Sequence, residues 1–111
     1  MNMKYRLYFV YPAPEVPIMP GFFEPDGLVK YYHWLKELLK DDILDSGLGF
    51  ADMAETQPIF GNTYNALMYF DFNGRLEAFD SIDKHGFVEV LDKMLEFTDT
   101  PPVLQGVFIV E

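Results

Sequence analysis

Short segments in which nearly every position is apolar alternate along the chain with longer segments in which apolar residues recur every three or four positions. The first kind is rich in aromatic and β-branched residues and predicts strands over 4–11, 66–72 and 105–110. A less apolar segment, 48–55, is predicted to be a short strand at an edge of the sheet. The pattern therefore predicts four strands.

The helical spacing predicts helices over 26–44 and 76–97, the second broken near Gly86 and ended by Pro101. The resulting order is strand, helix, strand, strand, helix, strand. This is the split βαβ pattern of a ferredoxin-like α+β sandwich, with a four-stranded antiparallel sheet under its helices. The length suits one domain, which is predicted to span 1–111.

The helices of such a fold cover one face of the sheet, yet the sequence leaves neither face polar. In the first strand Leu7 and Phe9 alternate with Tyr8 and Val10. A large apolar face left open to water promotes aggregation, so we expect it to meet a second copy. Two sheets packed face to face would form a two-fold symmetric barrel, and the chain is predicted to be a homodimer.

Composition and charge narrow the functional classes. The 111 residues carry a net charge of −10, which opposes binding to nucleic acid and to anionic membranes. The absence of cysteine excludes a disulfide scaffold, a thiolate metal site and a cysteine nucleophile. With two histidines, one copy cannot supply a three-histidine metal site. No signal peptide or membrane span is recognisable, so the predicted location is the cytoplasm. The protein is predicted to use no metal or cofactor.

The stretch HGFVEVLDKMLEFTDTPPVLQ, residues 85–105, resembles the EthD family of dimeric α+β barrel proteins. The family pattern begins with His-Gly-x-x-Glu, ends a helix in Phe-Thr-Asp and enters the last strand through Pro-Val-x-Gln. Shorter matches follow the family in order along the chain: Val10-Tyr11-Pro12 after the first strand, Tyr31-Tyr32 in the first helix and Phe70-Asp71 closing the third strand. The resemblance implies the same dimeric barrel.

Two departures from the family bear on activity. Members usually carry a Lys-His-Met-Pro-Leu-like motif after the aromatic pair, whereas residues 35–39 here read LKELL. Segment 12–25 holds five prolines and is longer than the resemblance leads us to expect; it is a loop packed on the body or, alternatively, a lid or subunit contact. Related barrels include cofactor-free monooxygenases, polyketide cyclases, lactone isomerases and haem-degrading enzymes. The resemblance thus implies a ligand site between sheet and helices but no particular reaction.

Three residues are candidates for acid–base chemistry or ligand binding. His85 is a candidate general acid or base, since histidine titrates near neutrality; the alternative is a loop histidine that caps a helix. Asp52 is a candidate base if its strand faces a pocket that raises its pKa, and otherwise an exposed edge residue. His33 falls on the polar side of the first helix, and it would bind a ligand if it pointed into the sheet.

The tyrosines Tyr8, Tyr32 and Tyr69 are predicted to line a pocket for a flat organic ligand, although core and dimer packing use the same residue types. Haem degradation, with His33 or His85 as the iron ligand, is a third option that the acidic charge of the chain opposes. Two functions remain open beside it. One is a homodimer that binds a small apolar or aromatic molecule and turns it over without a cofactor, with His85 assisting proton transfer. The other is a non-catalytic binding or assembly module.

Overall fold

The computed structural model describes residues 3–12, 25–50, 64–96 and 102–110. In chain order its elements are β1 (Met3–Pro12), α1 (Pro25–Leu39), β2 (Asp45–Phe50), β3 (Tyr64–Phe72), α2 (Arg75–Asp83), α3 (Phe87–Met94) and β4 (Val103–Val110). The four strands form one sheet in the order β2-β3-β1-β4, and every neighbouring pair is antiparallel. The predicted ferredoxin-like α+β fold is confirmed. The prolines between 13 and 24 and the candidate Asp52 lie outside the described residues.

Alternate residues of the two central strands form the inner face, the face covered by the helices. In β1 and β3 they are Tyr5, Leu7, Phe9, Tyr11, Ala66, Met68, Phe70 and Phe72, all 7% exposed or less. The register pairs Leu7 with Phe70 and Phe9 with Met68, so large side chains of both strands form one apolar layer. This layer and α1 supply most of the hydrophobic core.

α1 buries a stripe of residues against the inner face, because its apolar positions recur at helical spacing. The stripe consists of Leu28, Tyr31, Tyr32, Leu35 and Leu39. The helix ends at Leu39, five residues before the predicted end at 44. The chain turns back to the sheet there, and the Leu44 amide donates a hydrogen bond to the Asp71 carbonyl at 2.7 Å. A backbone bond to β3 therefore replaces the last predicted turn of helix.

The second helical region is divided at the predicted break. Gly86 adopts φ +86°, a left-handed conformation that a side chain makes costly. The Gly86 amide donates to the Asp83 carbonyl at 2.9 Å, while its own carbonyl accepts from the Val90 amide in α3. The glycine thus links the turn after α2 to the start of α3.

The opposite side of the sheet, the open face, has no helix over it among the described elements. Its positions are Lys4, Arg6, Tyr8 and Val10 in β1, Asp45, Gly47 and Gly49 in β2, Leu67, Tyr69 and Asp71 in β3, and Val103, Gln105, Val107 and Ile109 in β4. Val103 is 49% exposed and Val107 is 40% exposed. The helices in the described ranges are all too short or too polar to cross a bilayer.

Candidate functional site

An ionic cluster lies at the centre of the open face. Arg6 and Asp71 are cross-strand neighbours, and the Arg6 Nε and Nη2 atoms donate to the two Asp71 carboxylate oxygens at 2.7 and 3.0 Å. Lys4 Nζ lies 2.9 Å from Asp71 Oδ2. The Asp71 side chain is fully buried, while its two cationic partners keep partial contact with solvent. This geometry is bidentate and charge-assisted, and such pairs are stronger than an ordinary surface ion pair.

The cluster sets the charge state of Asp71. Burial by itself opposes the charged carboxylate and would raise its pKa. Hydrogen bonds and charge from Arg6 and Lys4 act in the other direction and prevail, so the pKa of Asp71 lies below its ordinary value. The Arg6 guanidinium is held protonated by the same contacts, chiefly by its hydrogen bonds to Asp71, which raise its pKa.

Two tyrosines extend this cluster across the open face. The Arg6 guanidinium carbon lies 4.0 Å from the centre of the Tyr69 ring, a cation–π distance. Arg6 Nη1 also lies 3.4 Å from the Tyr8 hydroxyl, and the Tyr8 and Tyr69 rings meet edge to face with centroids 6.2 Å apart. Gly47 makes room for Tyr69, because a Cβ at this position would lie 2.5 Å from the Tyr69 Cε1 atom.

A second set of tyrosines lies on the inner face, at the end of the sheet where β1 finishes. Tyr11 and Tyr31 are both fully buried. The Tyr31 hydroxyl donates to the Val90 carbonyl of α3 at 3.1 Å, which ties α1 to α3. Within the described part of the chain, the Tyr11 hydroxyl is buried and has no hydrogen-bond partner. Burial raises the pKa of Tyr31, and burial together with the nearby Tyr31 raises the pKa of Tyr11, so both phenols stay protonated at neutral pH.

An apolar groove, the inner groove, opens at the same end of the sheet. It has a volume of about 230 Å³ and is lined by Leu91, Asp92, Met94, Leu95, Pro102 and Leu104. Leu104 pairs with Phe9, which is two residues before Tyr11 on the inner face of β1. Tyr11 itself is not among the residues that line the groove. Side chains of α3 and β4 thus frame the opening.

A polar groove of about 290 Å³ lies between the end of α1 and α2, lined by Asp41, Asp42, Asn73, Glu77, Asp80, Ser81 and Lys84. Asp42 Oδ2 accepts from Ser81 Oγ at 2.8 Å and pairs with Lys84 Nζ at 2.6 Å. These contacts lower the pKa of Asp42, with the Lys84 hydrogen bond the largest cause. No group of three or more acidic or histidine residues in the described ranges is arranged to hold a metal ion. Asp42 thus fastens the end of α2 to the loop after α1.

His85 adjoins the polar groove, where its charge helps to lower the pKa of Asp42, whereas His33 lies apart from both grooves. His85 is half-buried in the turn between α2 and α3, and its amide donates to the Ile82 carbonyl at 3.1 Å. His33 is exposed on α1, where its ring meets the Tyr32 ring edge to face at 5.3 Å. Neither residue lines the inner groove or the polar groove. Their roles in catalysis and binding stay predictions, as does that of Asp52, which lies outside the described residues.

The three candidate tyrosines do not share one surface. Tyr8 and Tyr69 lie on the open face, half-buried beside Arg6. Tyr32 lies on the other side of the sheet, where its ring packs on Phe70 and its hydroxyl is 2.8 Å from Ser46 Oγ. A single ligand cannot touch all three within one protomer, so the set divides into an open-face pair and an inner-face residue.

Sequence reasoning missed the two most informative groups in this structure. Arg6 and Asp71 occupy the same face of adjacent strands, and strand alternation alone assigns Arg6 to the face opposite Leu7 and Phe9. The pairing of β1 with β3 was needed to bring Arg6 and Asp71 together. Tyr11 is in phase with the inner row of β1, but the state of its hydroxyl depends on packing that the sequence does not encode locally.

Comparison with known proteins gives a likeness at the level of structure only. No family model matches the sequence, and no curated protein matches it. An EthD-like protein from Ralstonia eutropha JMP134 superposes with a TM-score of 0.74 at 18% identity, covering 96% of this chain and 92% of that one. The chain therefore has the fold of EthD-like dimeric α+β barrel proteins, as predicted.

Two further solved structures share this fold. A dimeric ferredoxin-like protein of unknown function from Thermobifida fusca matches with a TM-score of 0.58 at 13% identity, over 99% of this chain and 92% of that chain. Hydroxynitrile lyase from Passiflora edulis matches with a TM-score of 0.64 at 9% identity, over 99% and 95% respectively. At identities this low, the likeness shows a shared fold and nothing about function. One fold can host several functions.

Proposed function

We propose that this chain is an EthD-like protein that works as a homodimer and binds a small apolar or aromatic molecule at the inner groove. The observation that carries the binding proposal is the inner groove itself, an apolar opening framed by α3 and β4. Its volume of about 230 Å³ exceeds the ~150 Å³ of a cavity that takes up benzene. Apolar walls with a few polar groups are typical of small-molecule sites.

The open face supports the dimer. Its exposed valines and half-buried tyrosines form a broad apolar and aromatic surface that no described helix covers. Two copies of a chain with a net charge of −10 repel one another, yet the charges on this face are balanced: Lys4 and Arg6 against Asp45 and Asp71. The open face is thus a neutral surface on an acidic protein, which is suited to a second copy.

The dimer proposal is tested with one substitution and one matched control. Val103→Asp places a charge on the open face, and Val88→Asp places the same charge on the outer side of α3, where the valine is 65% exposed. Light scattering after size-exclusion chromatography should show a dimer for the wild type and for Val88→Asp, and a monomer for Val103→Asp. A monomeric wild type at micromolar concentration would refute the homodimer.

Turnover is the further part of the proposal, a cofactor-free oxygenase-, cyclase- or isomerase-type reaction with His85 and Asp52 as its acid–base candidates. The fold is shared with a lyase, so a catalytic role has a precedent on this framework. The competing function is a non-catalytic binding or assembly module, favoured by the exposed position of His33 and by the sequence LKELL at 35–39. Turnover of phenols or quinones that is unchanged by His85→Ala would remove the His85 role.

A further inference from the structure

The inner groove has one charged residue in an otherwise apolar lining. Among the described residues that line it, Asp92 is the only one with a charged side chain, and the others are leucines, a methionine and a proline. Small-molecule sites commonly combine apolar walls with a few polar groups that fix the orientation of the ligand and supply specificity. Asp92 is the side chain in this groove that is suited to that role.

Asp92 has no counter-charge of its own in the structure. Its carboxylate forms no ion pair within the described ranges. The adjacent Lys93 is engaged elsewhere, because its Nζ atom lies 2.9 Å from Glu96 Oε2 and 5.8 Å from the centre of the Trp34 ring. No lysine or arginine of the described chain lines the groove. A cation supplied by a ligand would therefore meet no competing cation there.

The end of α3 acts in the same direction as Asp92. The helix ends at Met94, so Asp92 lies in its last turn together with the lining residue Leu91. The C-terminal end of a helix carries a partial negative charge, which disfavours a carboxylate and favours a cation at this position. The net charge of −10 on the chain adds a long-range attraction for cations.

We propose that the small molecule bound at the inner groove carries an ammonium group, which pairs with Asp92 while its apolar part lies between α3 and β4. This inference rests on the proposed binding function and names the ligand class, an amine with an apolar or aromatic body. Because Asp92 is exposed, the ammonium group keeps contact with water, and neither charge bears the full cost of desolvation. Carboxylates and phosphates are disfavoured by the same charges.

The test compares 2-phenylethylamine, 2-phenylethanol and 3-phenylpropanoate, which share a phenyl body and differ in the charge of the head group. Dissociation constants for the full chain are measured at low salt by NMR titration of the wild type and of Asp92→Asn. The wild type should bind the amine more tightly than the alcohol, and the carboxylate least tightly. Asp92→Asn should weaken amine binding about twofold to fivefold, the range of an exposed ion pair, and leave alcohol binding unchanged. High salt should reduce the loss of amine binding.

Asp83→Asn is the matched control, because it removes the same charge from an exposed aspartate at the end of α2 that lines neither groove. It should leave all three affinities unchanged. If Asp83→Asn weakens amine binding as much as Asp92→Asn does, the preference comes from the overall charge and the role of Asp92 is overturned. If the amine and the alcohol bind and Asp92→Asn changes neither affinity, the role of Asp92 is overturned while the binding function stands. If none of the three probes binds the wild type, the proposed binding function and the inference both fall.

Discussion

The two faces of the sheet both carry aromatic side chains, but these side chains are packed in different ways. The inner face packs aromatic rings against each other and against α1, and charged groups are absent from its described positions in β1 and β3. The open face instead embeds one carboxylate, Asp71, beneath two cations and lays a tyrosine against one of them. Stability should therefore depend on packing volume on one face and on charge pairing on the other.

The largest effect is expected from Phe70→Ala on the inner face. Phe70 is fully buried and its ring meets those of Phe9 and Tyr32, each at a centroid distance of 5.8 Å. The cavity left behind should cost about 3–5 kcal/mol of unfolding free energy in urea titration followed by circular dichroism. Leu67→Ala, on the open face of the same strand, should cost about 1 kcal/mol at a matched protein concentration. Equal losses of unfolding free energy for the two variants would contradict the view that packing volume matters more on the inner face.

Asp71→Asn should produce the largest loss from the open face. The amide removes the counter-charge of Arg6 and Lys4 while keeping the size of the side chain. Because one partner of a buried pair is removed and the other charges remain, we expect a cost of about 2–3 kcal/mol. Glu37→Gln removes a carboxylate from an exposed ion pair with Lys40 and should cost less than about 0.5 kcal/mol. A similar cost for the two variants would show that the Asp71 cluster is an ordinary surface pair.

The same cluster predicts a pH dependence. The folded pKa of Asp71 lies below its ordinary value of 3.8, so the folded state binds the proton less readily than the unfolded chain. Its contribution is fully present above the unfolded pKa and is lost as the pH falls through the folded pKa. Unfolding free energy measured from pH 7 to pH 2 should fall more steeply below pH 4 in the wild type than in Asp71→Asn. Parallel curves would count against charge pairing at Asp71.

Each face of the sheet has a glycine that lies against a tyrosine, and substitution of these two glycines allows the faces to be compared. A Cβ on Gly106 would collide with the hydroxyl end of Tyr5, which is held by an edge-to-face contact with Phe108 at 5.1 Å. Gly106→Ala should therefore cost about 1–3 kcal/mol in the same urea titrations. Gly47→Ala should cost less, because Tyr69 is only half-buried on the open face whereas Tyr5 is buried. Gly49→Ala is the control, since nothing lies within 4 Å of its added Cβ, and it should not destabilise.

Sequence patterning was sufficient for the fold because strand and helix periodicities are local properties. Alternation within β1 and the helical stripe of α1 specify which side chains face each other. The Arg6–Asp71 pair depended on the register between β1 and β3, because the two residues are separated by 65 positions along the chain. The inner groove depended on where α3 ends relative to the start of β4, and no residue pattern signals an opening left between two elements.

The smallest predicted effect is the difference in unfolding free energy between removing the Tyr31 hydroxyl and removing the Tyr11 hydroxyl. Tyr31→Phe removes a hydrogen bond to the Val90 carbonyl and should cost about 1 kcal/mol of unfolding free energy.

Tyr11→Phe removes a hydroxyl without a partner in the described structure, so it should cost nothing or stabilise the ligand-free protein by up to about 1 kcal/mol. The two variants delete the same atom from rings that are equally buried, so any difference measures the hydrogen bond and not the packing. A loss for Tyr11→Phe equal to that for Tyr31→Phe would mean that the ligand-free protein already satisfies the Tyr11 hydroxyl. A neutral or stabilising result would show that its retention serves something other than folding.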